Sequence, residues 1–204
     1  MKVVILTAST MKKTIGGNAF SGRCVTAFDL ENNRILRFVQ NEDGAPMENP
    51  YCDFYLPLEV HDIDVIKTCP LKCQTENVLA DYTVFNYLGM YRGGILDLYG
   101  RFQTIDYGDS SFMLDGSNKL QDISPYKHSL ELVKVTGLTI EGKKCSFMCG
   151  GKQYKSVSVT DPEYALPGGA EKNIGDAILA ISIPTEDFGG KGFYKFVASV
   201  FLIQ

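Results

Sequence analysis

The pattern of hydrophobic and polar residues along the chain is mostly that of β-strands. In the clearest example, Val157 and Val159 alternate with serines, and the chain then continues as Thr160-x-x-Glu163 with a proline in between. The alternation has the period of a half-buried strand, and the residues after it form a capping box, which begins a helix. This stretch therefore predicts a strand that runs into a short helix over residues 161–165.

Five strand patterns surround that helix in the second half of the chain. They lie at residues 129–140, 144–149, 153–159, 177–183 and 193–203. Three strands, a short helix and two further strands are the order of an OB-fold, a five-stranded, partly open Greek-key barrel. We expect residues 128–204 to form such a barrel.

The first half begins with a similar set of three strand patterns. They lie at residues 2–9, 22–30 and 34–39, with Asn32-Asn33 as a tight hairpin turn between the last two. A strand at 59–67 follows a polar loop, residues 77–91 are ambiguous between helix and strand, and 92–99 resemble a short strand.

The whole pattern predicts a mainly β protein of two OB-like five-stranded Greek-key barrels with short helices. We place a first barrel with a long insertion at residues 1–115, a linker at 116–127 and a second barrel at 128–204. The duplication is inferred from the strand pattern, since no sequence repeat between the halves is visible.

Composition limits the cellular location. Hydrophobic residues make up 45% of the 204, which is enough to bury a sizeable core. No apolar run approaches the roughly 18 residues of a membrane-spanning helix, and the apolar part of the opening segment is too short for a signal peptide. We expect a cytoplasmic protein without a membrane partner.

The six cysteines agree with that location because they show no disulfide framework. Cys69 and Cys73 are separated by three residues, as are Cys145 and Cys149, whereas paired zinc ligands usually have two residues between them. Cys145, Phe147 and Cys149 alternate along a strand, so packing in the core is the simpler role. We expect reduced thiols, no metal and no cofactor.

Charge is distributed unevenly, although the net charge is only −4. Residues 1–40 carry six basic residues against two acidic ones, while residues 41–66 carry seven acidic residues and no lysine or arginine. A local basic face is what a phosphate-containing ligand needs. Solvated strand and turn positions would give the same pattern.

Candidate nucleic-acid-binding residues follow from these cations and from polar residues of the second barrel. Tyr194 would stack on a base and Lys195 would contact a phosphate; alternatively, Tyr194 packs in the core and Lys195 is solvated. We also expect the two adjacent lysines of the opening segment to lie in an outward-reaching loop, and Arg23 and Arg37 to face one groove. The full set is Lys12, Lys13, Arg23, Arg34, Arg37, Tyr154, Tyr194 and Lys195.

A catalytic function has less support in the sequence. His61 and His128 are the only histidines, and neither has a recognisable nucleophile beside it in the sequence. The chain has no Walker-type phosphate loop, no His-Glu-x-x-His and no Gly-x-Ser-x-Gly. These absences favour a non-enzymatic protein without excluding an enzyme.

Four short groups of residues, which together span nearly the whole chain, match the pattern of a known family. They are Ser9 with Gly22-x-Cys24-Val25-x-Ala27 and Ile35-Leu36-Arg37; Asp62-x-Asp64-Val65 with Gln74-Thr75-Glu76-Asn77; Tyr154 with Ser158-Val159-Thr160-Asp161-Pro162; and Ile181-Ser182-Ile183-Pro184 with Tyr194-Lys195-Phe196-Val197-Ala198. On these residues the chain resembles the dual OB-containing domain proteins of bacteria. It departs from their pattern at Thr75, where a proline is usual, and at Phe28, where a small residue is usual. The resemblance implies binding of nucleic acid or nucleotides and carries over no catalytic residue.

Our prediction from the sequence is a non-enzymatic module that binds single-stranded nucleic acid or a nucleotide in a groove lined by the first barrel's opening strands. One alternative is a protein-interaction scaffold that docks a partner through the barrels and the acidic loop at residues 41–55. A second alternative is a small-ligand enzyme that uses His61 or Asp161. Fold alone does not decide between them.

Overall fold

The computed structural model describes residues 1–15, 17–48, 52–81, 86–165 and 168–203 of the chain. Within these ranges it has fourteen strands and one helix, so the mainly β fold class is confirmed. The chain divides into two compact units, Met1–Ile105 and Asp106–Gln204.

The first unit contains seven strands and the helix. They are β1 (Lys2–Ile15), β2 (Asn18–Asp29), β3 (Arg34–Phe38), β4 (Glu59–Asp62), β5 (Val65–Thr68), β6 (Asn77–Ala80), β7 (Tyr87–Met90) and α1 (Gly94–Phe102). The strands form one sheet in the order β5-β6-β3-β2-β1-β4-β7, in which only β3 and β6 are parallel.

The continuous segment of β4 and β5 pairs with strands near both ends of this sheet. Only Ile63 and Asp64 separate β4 from β5, and β4 pairs with β1 while β5 pairs with β6. The strands β1, β2, β3, β6 and the run β4–β5 therefore follow one another as in an OB barrel, with β7 added outside β4. Buried side chains of β1, β2, β3 and β6 form the core, including Val3, Ile5, Val25, Leu36 and Val78.

The second unit contains the other seven strands. They are β8 (Lys119–Leu120), β9 (Leu130–Glu141), β10 (Lys144–Cys149), β11 (Lys152–Val159), β12 (Glu171–Ser182), β13 (Phe193–Tyr194) and β14 (Phe196–Leu202). Five of them close a barrel in the order β10-β11-β14-β12-β9, with β11 and β14 parallel, while β8 pairs with β13. The predicted five-stranded barrel is confirmed, and residues 116–127, expected to be a linker, carry β8 and belong to this unit.

Three local predictions were wrong, and two of them concern the first unit. Residues 92–99 do not form a strand but enter α1, because Ile95, Leu98 and Phe102 bury one helical face at spacings of three and four. The two lysines expected in a loop lie in β1, which pairs with β2 as far as Ile15↔Asn18. The ambiguous residues 77–91 contain β6 and β7, with 82–85 outside the described residues.

The third correction concerns the expected helix at residues 161–165. The chain makes a single turn there, closed by the bond from the Ala165 N–H to the Asp161 carbonyl at 2.8 Å. The capping side chain is Asp161, whose Oδ1 accepts the Glu163 N–H at 2.9 Å. Thr160 instead donates its N–H and its hydroxyl to the Val197 carbonyl, so it extends the barrel pairing.

No helix formed by the described residues has the length and apolar character needed to cross a membrane.

Candidate functional site

The outer ends of β1 and β2 form a two-stranded arm, residues 9–15 and 17–23. Its register pairs Thr10 with Arg23 and Lys12 with Ser21. Because side chains alternate across a strand, Thr10, Lys12 and Thr14 share one face. All three are exposed, as is Ser21, and Arg23 is half-buried. This polar face of the arm is open to solvent and carries two basic side chains, Lys12 and Arg23.

An open polar depression of about 460 Å³ lies on that face. It is lined by Thr10, Ser21, Gly22, Arg23 and Glu48. The Arg23 Nη1 donates to the Thr10 Oγ1 at 3.2 Å, and its Nε lies 3.7 Å from a carboxylate oxygen of Asp53. A cation, a carboxylate and two hydroxyls thus meet around one depression.

Gly22 is what allows the floor of this depression to form. The backbones of Arg23 and Met47 exchange two hydrogen bonds, of 2.8 and 3.0 Å. A Cβ at Gly22 would lie 1.9 Å from the Met47 carbonyl oxygen, a distance no side chain can adopt. The close approach of these two backbone segments therefore requires glycine.

Two of the predicted phosphate-binding cations lie inside the first unit. The Lys13 Nζ donates to the Asp43 and Gly44 carbonyls at 2.8 and 3.3 Å, and the residue is 8% exposed. Arg37 is 3% exposed; its Nε lies 3.4 Å from the Glu76 Oε1 and its Nη1 contacts the Cys24 Sγ. Arg23 and Arg37 thus do not face one groove.

Electrostatics keep the buried Arg37 charged. Burial by itself opposes the guanidinium charge, but its neighbours, with the Glu76 carboxylate among them, raise the pKa of Arg37 above its ordinary value. Burial raises the pKa of the Cys24 thiol. Arg37 and Glu76 therefore form a buried ion pair, which fixes the chain before β6 against β3.

Arg34 lies at the other end of β2 from the arm. Its Nε donates to the Asp29 Oδ2 at 3.0 Å, and Asn33 adopts a positive φ of 54° in the hairpin turn, as the Asn-Asn sequence predicted. Burial alone would raise the pKa of Asp29, but hydrogen bonds from Asn32 and Arg34 hold it below its ordinary value. The contacts of Arg34 in the structure are those of a turn residue.

Tyr154 is fully buried in the second unit. Its hydroxyl donates to the Met113 carbonyl and accepts the Gly116 N–H at 3.1 Å. Burial raises the pKa of Tyr154 to about 12. The side chain holds residues 113–116 on the barrel and does not reach solvent.

Lys195 completes the same attachment. Its Nζ donates to the Asp115 Oδ1 at 2.7 Å and to the Ser117 carbonyl at 2.8 Å, and lies 5.4 Å from the centre of the Tyr154 ring. Burial lowers the pKa of Lys195, an effect that Asp115 partly offsets. Residues 113–117 and their two anchors, Tyr154 and Lys195, are called the clasp below.

Tyr194 lies next to Lys195 but belongs to a different environment. It is half-buried, and the Phe188 ring packs edge-on against it at 5.8 Å. Phe188 is 51% exposed and its ring centre lies 5.9 Å from that of Phe196. Phe188, Tyr194 and Phe196 form an aromatic cluster at the connection between β12 and β14. Sequence analysis selected Tyr194 but missed Phe188. The signal that could have identified Phe188 is a large aromatic residue next to Gly189-Gly190.

The residues considered for catalysis are engaged in contacts within their own units. The His61 Nε2 lies 3.1 Å from the Glu59 Oε2, and its ring packs at 4.9 Å against Tyr55. Burial raises the pKa of Asp161, whose two oxygens accept the backbone N–H groups of Glu163 and Val200. These contacts are those of structural residues.

The six cysteines are free thiols. Burial raises the pKa of Cys73 to about 11 and that of Cys145 to about 12, which disfavours the thiolate that a metal would require. Among the described residues, no group of three His, Cys, Asp or Glu side chains is placed to hold a metal ion. A metal-free protein remains a prediction.

A family model described as "Dual OB-containing domain" matches residues 1–200. The chain belongs to the dual OB-containing domain family. No curated protein and no solved structure matches it.

In OB-folds, oligonucleotides and oligosaccharides commonly bind on the face of strands 2 and 3 and at the loops between strands 1 and 2 and between strands 4 and 5. In the first unit of this dual OB-containing domain protein, the connection between barrel strands 1 and 2 is the arm. In its second unit, the connection between barrel strands 4 and 5 carries the aromatic cluster. Each unit therefore presents an exposed feature at a position where OB-folds bind ligands.

Proposed function

We propose that the protein is a non-enzymatic module that binds single-stranded nucleic acid or a nucleotide on the polar face of the arm. The observation that carries this proposal is a polar depression lined by Arg23 at the first inter-strand connection of an OB barrel, with Lys12 on the same face opposite Ser21. Lys13, Arg37, Tyr154 and Lys195 are buried and are not part of the proposed surface.

The chemistry of the depression suits a nucleotide. Lys12 and Arg23 would contact phosphate oxygens, and hydroxyls such as Ser21 commonly do the same. Glu48 offers a carboxylate, which accepts a hydrogen bond from a base amino group such as that of cytosine. The volume of about 460 Å³ lies within the range of small-molecule sites.

The aromatic cluster of the second unit offers a separate surface with a different kind of contact. Base stacking on an exposed ring contributes roughly 1–3 kcal/mol per base and tolerates any sequence. Phe188 is the exposed ring, and the perpendicular packing of Tyr194 against it holds its orientation. We propose that Phe188 and Tyr194 stack on bases of a single strand.

The test is the affinity for a single-stranded oligonucleotide and for a mononucleotide, measured over a range of salt concentrations. Removing one cation that pairs with a phosphate should reduce the slope of log K against log salt by about 0.7 for a single strand. Lys12→Ala/Arg23→Ala should therefore bind more weakly, with a slope lower by about 1.4. Lys134→Ala, which removes an exposed strand lysine in the second unit, is the matched control. Absence of binding by the wild type at low salt would refute the proposal.

A protein-interaction scaffold is the second candidate, and β7 is the observation that favours it. Tyr87, Leu88 and Met90 are 47%, 47% and 57% exposed, and β7 is the last strand of its sheet within the described residues. An apolar edge strand can accept an extended peptide by adding a strand to the sheet. In that case Leu88→Lys should abolish binding of a protein partner and leave oligonucleotide binding unchanged.

A further inference from the structure

The ring of His128 lies between two carboxylates in the second unit. Its Nδ1 is 3.0 and 3.1 Å from the two Asp109 oxygens, and its Nε2 is 3.0 Å from the Glu131 Oε1. The three side chains are only 5–6% exposed. Both ring nitrogens therefore face an acidic oxygen in an almost closed environment.

The contacts of Glu131 show that it is an acceptor. Its Oε1 accepts the Phe112 N–H at 2.7 Å and its Oε2 accepts the Ser111 hydroxyl at 2.6 Å. The Ser111 oxygen itself accepts the Met113 N–H at 3.0 Å, which leaves the hydroxyl proton for Glu131. Glu131 therefore accepts hydrogen bonds on both of its oxygens, as a carboxylate does.

Asp109 is an acceptor for the same reason. Its Oδ2 accepts the Lys127 N–H as well as facing the His128 ring. A neutral imidazole has one N–H and one lone pair, so one of its nitrogens would point a lone pair at a carboxylate oxygen. Only the imidazolium, with a proton on each nitrogen, donates to both.

Aromatic rings surround the same histidine. Tyr107 is stacked on it with ring centres 4.3 Å apart, Phe112 is stacked at 5.4 Å, and Tyr126 is perpendicular at 6.4 Å. The face of an aromatic ring attracts a cation. The stacked rings therefore attract the charged form of His128, which offsets part of the cost of excluding water from it.

We propose that His128 is a buried imidazolium that fastens residues 107–127 to the start of β9, and that this attachment weakens as the pH rises and the proton leaves. The titratable groups facing it are Asp109, Glu131, Tyr107 and Tyr126, and Lys127 contributes its backbone N–H. The fastened segment includes clasp residues 113–117 and β8, which pairs with Tyr194. The proton on His128 therefore also helps to hold β8, the strand that pairs with Tyr194 of the aromatic cluster.

The direction of the pH dependence follows from proton linkage. A histidine in an unfolded chain titrates near pH ~6.5, whereas the folded protein keeps the proton on His128 to higher pH. The stabilisation is therefore complete in mildly acidic solution and disappears as the pH rises.

The direct test is NMR of the full-length protein labelled with ¹⁵N at histidine. The chain has two histidines, so His61→Gln assigns the signals of both. At about pH 7.5, roughly one unit above the ordinary histidine value, we expect His128 to show a proton on each ring nitrogen. A neutral ring with a single protonated nitrogen at that pH would overturn the proposal, and this measurement needs no variant of His128.

Thermal unfolding provides the second test. The melting temperature of His128→Gln should fall several degrees below that of the wild type at about pH 6, and the gap should narrow by about pH 9 because the wild type gives up its proton. A gap between the wild type and His128→Gln that is the same at both pH values would contradict the pH dependence.

Discussion

The ammonium group of Lys195 lies 2.7 Å from a carboxylate oxygen of Asp115, although the two residues are 80 positions apart. The residue before it, Tyr194, packs against the exposed Phe188 ring. Two consecutive residues therefore have different roles: Lys195 secures a preceding segment on the barrel, and Tyr194 supports a surface that we propose to bind bases.

The hydroxyl of Tyr154 should stabilise the clasp in a pH-dependent way. Tyr154→Phe removes the bonds to Met113 and Gly116 and should lower the free energy of unfolding by about 1–3 kcal/mol at neutral pH. Because the pKa of Tyr154 is raised to about 12, the unfolded chain ionises first, near pH ~10, and the stability of the wild type falls between about pH 10 and 12. The difference in the free energy of unfolding between the wild type and Tyr154→Phe should therefore decrease in that pH interval. Denaturant unfolding of the wild type and the variant at several pH values in this range measures the difference.

Asp161 should contribute more to stability than its acidic neighbour. Asp161→Asn replaces one of two accepting oxygens by an amide NH₂ facing a backbone N–H, and we expect the free energy of unfolding to fall by about 1–3 kcal/mol. Glu163→Gln should have little effect, because the structure assigns the capping role to Asp161. Equal decreases for the two variants in urea would show that the capping assignment is wrong.

The close approach at Gly22 should tolerate no side chain. Gly22→Ala forces the arm away from Met47 and should lower stability by at least about 1–3 kcal/mol, as overpacking does. It should also weaken oligonucleotide binding, since the floor of the depression is displaced. The matched control is Gly100→Ala in α1, where a Cβ meets open space and the helix should gain about 0.5–1 kcal/mol.

An exposed ring at position 188 should matter for binding to single strands. Phe188→Leu keeps an apolar side chain but removes the stacking face, and it should weaken oligonucleotide affinity by roughly tenfold or more. Phe188→Tyr should retain the affinity. If Phe188→Leu binds as well as the wild type, the bases do not stack at the aromatic cluster.

The boundary of the second unit can also be tested by experiment. We expect the fragment 106–204 to unfold cooperatively by itself, because it retains the clasp. The fragment 128–204 lacks the partners of Tyr154 and Lys195, and it should be markedly less stable or fail to fold. Circular dichroism during heating compares them, and equal stability would show that residues 106–127 are dispensable.

Strand order was predictable because its signals are local. Alternating residues between glycine turns predicted a strand at Lys144–Cys149, and the structure has a strand with the same bounds. The five strands of the second barrel also occur in the predicted order along the chain. The helix α1 was missed because nine residues contain too few repeats to separate a helical period from an alternating one. The turn at Asp161 was misread because a capping sequence specifies how a helix would begin and not how far it continues.

The exposure of cations was not predictable in the same way. Alternation implies that Lys12 and Lys13 point to opposite faces, but only the chain around Asp43 and Gly44 decides that Lys13 is the covered one. Likewise, Arg37 is buried because Glu76 comes from a distant part of the chain to pair with it. Each outcome depends on tertiary contacts, which the sequence does not display.

The clasp also sets an order of events in folding. The partners of Tyr154 and Lys195 precede them in the chain by 38 to 80 residues. Because a ribosome adds roughly 5–20 residues per second, Lys195 is synthesised several seconds after residues 113–117. The Lys195 contacts, at separations of 78 and 80 residues, span more of the chain than the strand pairs of the barrel, so we expect them to form after it, because closing a long loop must come before they contribute any stability. Interactions that are absent from the folding transition state change the unfolding rate and leave the folding rate nearly constant. The clasp should thus lower the unfolding rate of the second unit.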